Sequence, residues 1–512
     1  MGATVHFDGR AEPPETLGAR CERSAVALHA LGLGPGRVVA LMLHNEPVVL
    51  ELMLAARAIG AHYCLINWHF KAAEVRHILS DSGARVLIVH RNLIEQVRQG
   101  IPDAVRVFAA EPSARTREAF HITEVLPVPS RWESWEGLRD ASDAAASSAA
   151  SPAPGSIMIY TSGTTGLPKG IRRAAATPEQ VERLFEAARI AIGIEPGMRA
   201  LVSAPMYHSA PAQYVLQAAL KDAELWIEPR FDAETTLRLI ESERITHAYL
   251  VPTMLTRLLR LAPEVKARYA VDSLRYVACT GAPLPPATKA RMIDWWGPVI
   301  HEAYAASELG WVTHIDSHEA VRKPGSVGRP IPGVVVRILA DDGRELPVGT
   351  AGLIHARSAA VPDFTYANND EARRKLERDG LWTLRDVGFL DDDGYLYIVD
   401  RESDMVISGG VNIYPAEIEA VLATLAGVAD CAVFGVADEE FGESLVAVVQ
   451  PANDASLGAE DVRSFLRERL AGYKVPRTIL FRSDLPREET GKIFKRKLRE
   501  LHLQASTVGS GG

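Results

Sequence analysis

Apolar positions along the first 140 residues fall into blocks that switch between two periods. Arg20 to Leu31 has them at helical spacing and stops at Gly32; Val38 to Leu43 is an unbroken apolar run of strand length; Val48 to Ile59 returns to the helical spacing and stops at Gly60. Glu74 to Asp81 then reads as a helix and Arg85 to Val89 as a strand. Strands and helices alternating at this spacing predict an α/β protein with doubly wound sheets, because parallel neighbours need a crossover that a helix supplies. The pattern resumes with the strand Ile157 to Tyr160. Thr177-Pro178-Glu179-Gln180 then combines an N-cap hydroxyl, proline at the first helical position and glutamine three residues on, which predicts a helix to about Ile192. Strands are predicted at 200–202, 224–227, 247–251 and 276–279, with a helix from Ala233.

From Gly325 to Asp400 the texture changes to short β runs. Asp393-Gly394 separates Gly388-Phe389-Leu390 from Tyr395 to Val399 as a hairpin, and the triplet Asp391-Asp392-Asp393 reads as turn chemistry rather than a metal site. Past Arg401 a smaller α+β unit is predicted, with helices at 415–425 and 459–470, strands at 431–436 and 445–449, and a disordered tail over 505–512. Residues 141–155, ASDAAASSAASPAPG, have no core pattern and read as a slack linker. The expected division is a large N-terminal domain, 1–401, with that linker and a small β-barrel-like subdomain at about 325–400, then a small, mobile C-terminal domain, 402–504.

A chain of 512 residues is long enough for such a division. Its net charge of -9 argues against nucleic acid as a partner. Cys21, Cys64, Cys279 and Cys431 form no C-x-x-C pair, which suits a reducing cytoplasm. The opening residues carry acidic and proline positions where a secretory signal needs an apolar core, and no uncharged apolar run reaches membrane-spanning length. A cytoplasmic protein without membrane insertion is expected; a homodimer stays open.

The sharpest chemistry lies in Ser156 to Gly170, SIMIYTSGTTGLPKG, where the apolar strand breaks into Thr161, Ser162, Gly163, Thr164, Thr165 and Gly166 and then reaches Lys169. Glycines allow close backbone approach, hydroxyls donate and accept, and the lysine is a compact cation, so the loop suits polyphosphate. It is not a Walker loop, since counting from Gly163 puts Pro168 where the second glycine must be.

Read with Gly281-Ala282-Pro283, Tyr304-Ala305-Ala306-Ser307-Glu308, residues 325–330, Asp386 with Arg401, Ser408-Gly409-Gly410 and Thr490-Gly491-Lys492, this loop resembles the motifs of the adenylate-forming superfamily, in family order and over nearly the whole chain. The resemblance implies an ATP-dependent carboxylic acid:CoA ligase, an acyl-CoA synthetase of the acid–thiol ligase type. A carboxylate attacks the α-phosphate of MgATP, and a thiol then displaces AMP. It implies that the loop, from Thr161 to Gly166 with Lys169, holds the β- and γ-phosphates, that Glu308 holds Mg2+, and that Tyr304 stacks on adenine beside Gly281, Ala282 and Pro283, with Ser307 supplying the motif's hydroxyl. Asp386 would accept the ribose hydroxyls with help from Arg401, Lys492 would stabilise the α-phosphate and incoming carboxylate, and Gly409 and Gly410 would leave room for the pantetheine arm of CoA.

The chain departs from the family at two places. Ala305 adds a methyl at the floor of the acyl site, and Ser403 stands at the hinge, with Asp404 next. The stretch Pro205 to Ala210 lacks the carboxylate by which amino-acid-activating relatives hold an amine, so a plain acid is expected. His208 matches the aromatic gate of acyl- and aryl-CoA ligases, and Val251, Gly281, Ala305, Gly310, Trp311 and Val312 would give an apolar wall for a fatty, aryl or ring-bearing acid. Free CoA is the expected acceptor. An acyl-AMP ligase loading a carrier protein and a catalytically silent nucleotide-binding homologue are the alternatives.

Overall fold

The computed structural model describes residues 2–124, 129, 132–143, 151, 153–161, 168–402, 404–408, 411–438, 441–452, 457–487 and 493–509. These divide into two compact units: residues up to 324 with 328–335 and 357–380, and residues 325–327, 336–356 and 381 onward.

The first unit holds two doubly wound sheets. The first contains β1 (Val38–Met42), β2 (His62–Leu65), β3 (Val86–His90), β4 (Arg106–Ala110), β5 (Ile157–Thr161) and β6 (Lys169–Arg173). The second contains β7 (Arg199–Val202), β8 (Glu224–Ile227), β9 (His247–Leu250), β10 (Tyr276–Cys279), β11 (Ile300–Ala306) and β12 (Gly310–Ile315). A short strand from much later in the chain, β13 (Phe364–Tyr366), joins the first sheet beside β6. The spatial order is therefore β13, β6, β5, β2, β1, β3, β4 in one sheet and β12, β11, β10, β9, β7, β8 in the other, where Thr4–Phe7 continues the parallel run. In each sheet one early strand has parallel neighbours on both sides: β1 lies between β2 and β3, and β7 between β8 and β9. These are the points where the winding reverses. In open α/β sheets the crevice at the carboxyl ends of such strands is where ligands bind.

Helices α1 (Pro14–Ala30), α2 (Pro47–Ala58), α3 (Pro178–Ile192) and α4 (Ser209–Ala219) are among those that cover these sheets. Proline opens α1, α2 and α3 at a position whose missing N–H costs nothing. The predicted cap of α3 is present as a reciprocal pair: Thr177 Oγ1 accepts from the Gln180 amide at 3.2 Å and Gln180 Oε1 from the Thr177 amide at 3.0 Å. The helix stops at Gly193 in the left-handed region.

Part of the stretch read as linker is tied down. Residues 144–150 and 152 lie outside the described residues, but the Ser151 and Gly155 amides donate to the last carbonyls of α2, Ala58 and Arg57, both at 3.0 Å. Those carbonyls have no partner within their own helix and attract just such donors.

In the second unit Gly352–Ser358, Leu381–Leu390 and Leu396–Arg401 form the antiparallel sheet of the β subdomain. The acidic triplet is a turn, as its composition indicated: the Asp391 carboxylate accepts from the amides of Asp393 and Tyr395 at 3.0 and 2.9 Å. Beyond it, Val428–Asp438 and Gly442–Pro451 pair antiparallel and Thr478–Phe481 adds in parallel. Helices α5 (Pro415–Leu422), α6 (Ala459–Arg467) and α7 (Lys495–Gly509) complete the unit. Ile418, Leu422, Val462 and Leu466 share one apolar cluster with the strands. Helix α7 runs to Gly509, and residues 510–512 of the tail expected to be disordered lie outside the described residues.

Candidate active site

Apart from Thr161 and Lys169, which belong to the first sheet, the described site residues predicted in the first unit lie at the carboxyl edge of the second sheet. β7 runs into Pro205 to His208, β9 ends just before Val251, β10 ends before Gly281-Ala282-Pro283, and Tyr304 lies toward the end of β11. Four strand ends thus converge at the reversal between β7 and β9. Gly281 has φ +93°, a conformation glycine adopts without strain, and the space where a Cβ would sit is open to 4 Å. Near Tyr304 the β11–β12 pairing slips: Tyr304 faces Thr313 and Ala305 faces Trp311, which leaves Val312 as a bulge. A bulge of this kind re-aims side chains, here on the strand that leads into the turn of Ser307 and Glu308.

His208 caps α4, and its amide closes a turn onto the Pro205 carbonyl at 3.2 Å. Its ring lies 4.4 Å from that of Tyr207, which meets Trp68 edge-on at 4.5 Å. The turn is held from beneath by Asn45, a fully buried side chain that sequence reasoning missed: Oδ1 accepts from the Met206 amide and Nδ2 donates to the Ala204 carbonyl, both at 2.8 Å. Of the expected apolar wall, Ala305 is half-buried, whereas Val251 and Trp311 are 4 % and 6 % exposed and pack into the main core. Gly310 has φ +71°, and a Cβ there would meet Val361 at 2.9 Å.

Thr161 closes β5 directly across from Lys169, the first residue of β6. Ser162, Gly163, Thr164, Thr165 and Gly166 between them lie outside the described residues. Lys169 and Glu308, 139 positions apart in sequence, meet through a residue no pattern announced. The Tyr366 hydroxyl on β13 donates to Glu308 Oε1 at 2.8 Å, and Lys169 Nζ stands 5.5 Å from the centre of the same ring. Glu308 is half-buried, and among the described residues it has no ion pair. The phenol that holds this carboxylate is neutral and brings no opposite charge to it.

In the second unit Asp386 and Arg401 face each other across the hairpin, with Nε 3.2 Å from Oδ1; the aspartate is 6 % exposed and the arginine reaches solvent. Ser403, Gly409, Gly410 and Lys492 lie outside the described residues. Just after Lys492, Lys495 opens α7 and pairs with Glu419 of α5 at 2.9 Å. Burial works to lower the Lys495 ammonium's pKa, and the carboxylates of Glu419, Asp400 and Asp404 outweigh it and raise it.

Among the described residues no cluster of three or more His, Cys, Asp or Glu side chains could hold a metal ion alone, and no helix is long and apolar enough to cross a membrane. Mg2+ commonly needs only one or two protein carboxylates when substrate phosphates complete its shell. Glu308, a hard oxygen ligand with no ion pair among the described residues, fits that requirement.

Comparison with known proteins adds the following. A family model described as AMP-binding enzyme matches residues 15–362, and one described as AMP-binding enzyme C-terminal domain matches 417–492. The chain is 35 % identical over 503 residues to a feruloyl-CoA synthase of an Amycolatopsis species, covering 97 % of this chain and 95 % of that one. It is also 35 % identical over 492 residues to a long-chain-fatty-acid–CoA ligase of Mycobacterium tuberculosis, covering 94 % and 92 %. The crystal structure of ATP-bound MatB from Rhodopseudomonas palustris superposes with a TM-score of 0.83 at 27 % identity, covering 98 % of this chain and 95 % of that one.

Proposed function

The chain belongs to the AMP-binding enzyme family, in its acyl-CoA synthetase branch, and from that premise we propose how its residues divide the work of an acid–CoA ligase. The enzyme joins a carboxylic acid to CoA in two steps. A carboxylate oxygen attacks the α-phosphorus of ATP and pyrophosphate leaves; the CoA sulfur then attacks the acyl carbon, its proton is released, and AMP leaves.

The first step brings an anion up to a polyanion, so positive charge must be in place where negative charge gathers. In our reading Lys169 and the loop from Thr161 to Gly166 hold the leaving pyrophosphate, and Lys492 stabilises the α-phosphate and the incoming carboxylate. Glu308 holds Mg2+, which supplies charge neutralisation on the phosphates when bound. Tyr304, Ser307 and Gly281-Ala282-Pro283 make the adenine end of the site, and Asp386, oriented by Arg401, takes the ribose hydroxyls. Gly409 and Gly410 admit the pantetheine arm, and Ser403 serves as the hinge of the C-terminal residues.

The observation that carries this reading is the placement of Lys169 and Glu308 on either side of Tyr366, at the end of the strand that also carries Tyr304. A cation for phosphate and a cation-seeking carboxylate share one support. For the acid, we propose an apolar aryl or fatty substrate admitted past His208: the Tyr207 ring adjoins those of both His208 and Trp68, and the relatives above are named for feruloyl and long-chain fatty acids. The four cysteines, all buried and free, suit a cytoplasmic enzyme.

Acid-dependent exchange of pyrophosphate into ATP, screened over aryl, fatty and steroid-like acids, tests the reading. Exchange with an apolar acid and AMP release on adding CoA are expected. Exchange in the absence of any acid, or turnover that spares CoA and needs a carrier protein, would refute it.

A further inference from the structure

Arg173 ends β6, the strand that Lys169 begins. The two-residue period of a strand puts it on the same side as Ile171, which is 1 % exposed, so a charged side chain stands where an apolar one is expected. Its guanidinium spans three backbone carbonyls. Nη1 donates to Pro362 at 3.0 Å, and Nη2 donates to Ser307 at 2.5 Å and to Glu308 at 2.9 Å. Among the described residues no carboxylate lies within ion-pair distance of it. Desolvation brings its pKa down to about 10, against the pull of the Glu308 and Asp363 charges, so it stays a cation at neutral pH.

A largely desolvated cation satisfied by carbonyls alone is a costly way to fill a strand position. What it obtains is the conformation of one turn. Two of the three carbonyls belong to Ser307 and Glu308, and the third belongs to the segment leading into β13, whose Tyr366 holds the Glu308 carboxylate. Lys169 and Arg173 thus sit at opposite ends of one strand, one facing the Tyr366 ring and the other gripping the backbone of Glu308.

We propose that Arg173 is a positioning residue for adenylation: it fixes the Ser307–Glu308 turn so that the Glu308 carboxylate meets the cation carried by the nucleotide, and it ties that carboxylate to the strand bearing Lys169. This rests on the reading of Glu308 as the cation-holding carboxylate.

Calorimetric titration of ATP, with Mg2+ and separately with EDTA, tests it without turnover. In Arg173→Met the dissociation constant with Mg2+ should rise about 10-fold while that in EDTA changes less than about 2-fold, and Arg173→Lys should restore about half of the loss on a logarithmic scale, leaving a rise of about 3-fold. In a Glu308→Gln background Arg173→Met should add less than about 2-fold, because both changes act through one carboxylate. Equal weakening with and without Mg2+, or a full additional loss in the Glu308→Gln background, would reduce Arg173 to a strand support and overturn the proposal. If Glu308→Gln itself leaves the Mg2+-dependent gain intact, the reading of Glu308 fails instead. Should Arg173→Met not fold, Arg173→Lys decides alone: a rise of about 3-fold confined to the Mg2+ titration supports the proposal, and no change in either titration overturns it.

Discussion

At the amino-terminal edge of the second sheet, His247, Tyr276, His301 and His314 form a layer of rings. Tyr276 and His301 stack at 3.7 Å, His301 Nδ1 and the Tyr276 hydroxyl each lie 3.1 Å from His314 Nε2, and the Tyr276 hydroxyl donates to the Ile190 carbonyl at 2.6 Å. At the carboxyl-terminal edge of the same strands lie the open turn at Gly281, the bulge beside Tyr304, and Glu308, which has no ion pair among the described residues. One edge satisfies its polar groups internally and the other leaves charge and space. Parallel strands create this asymmetry, since their carboxyl ends at a winding reversal splay into a crevice while their amino ends can be closed by packing.

The difference yields tests that separate activity from stability. The largest effect is expected at the open edge. Glu308→Gln keeps the shape and the Tyr366 contact but removes the charge, so acid-dependent pyrophosphate exchange should fall about 10²- to 10³-fold. Because among the described residues that carboxylate has no ion pair to lose, the midpoint of thermal unfolding should move by less than about 2 °C. A large drop in the midpoint with exchange preserved would erase the distinction between the edges.

The closed edge should respond to acid instead. Burial lowers the His301 pKa to about 3, helped by His314 and opposed by Asp316, and lowers that of His247 to about 4, helped by Arg275; the Glu195 carboxylate lies 3.5 Å from His247 Nε2. With folded pKa values below the unfolded value, the native state takes up fewer protons. Stability is then fully present above about pH 6.5 and falls toward pH 4, by at most about 1.4 kcal/mol per pH unit for each histidine. Denaturant unfolding at pH 7 and pH 5 should show the loss, and His301→Gln should flatten it while exchange activity at pH 7 is kept. An unchanged slope would mean these rings are already charged.

The smallest effect is expected where the phenol meets the open edge. Tyr366→Phe removes one hydrogen bond to Glu308 and leaves the ring beside Lys169, so exchange should slow about 3- to 10-fold. An effect as large as that of Glu308→Gln would make the hydroxyl itself part of the chemistry.

Local signals were readable in the sequence and long-range ones were not. The helix over 178–192 declared itself through Thr177 and Gln180, and the turn at 391–394 through its aspartates, because capping and turn chemistry act within a few residues. Gly281, Tyr304 and Glu308 could be singled out because they sit in dense short motifs. Tyr366 could not, since β13 pairs with a strand some 190 residues earlier and nothing near position 366 marks it. Arg173 had left a trace, a charge in step with the buried Ile171, but Lys169-Gly170-Ile171-Arg172-Arg173 reads as the end of a loop until β5 and β13 are found on either side of it. The tie of Ser151 and Gly155 to α2 was likewise hidden, because an Ala/Ser/Pro stretch has the same composition whether free or docked by its backbone.

A single-turnover reaction with ATP and an accepted apolar acid, quenched before CoA is added, probes the open edge most directly. Acyl-adenylate and pyrophosphate should form in equal amounts in the native enzyme and be nearly absent in Glu308→Gln, with CoA then converting the adenylate to thioester and AMP. ADP with an acyl phosphate, or no intermediate until CoA is present, would contradict it.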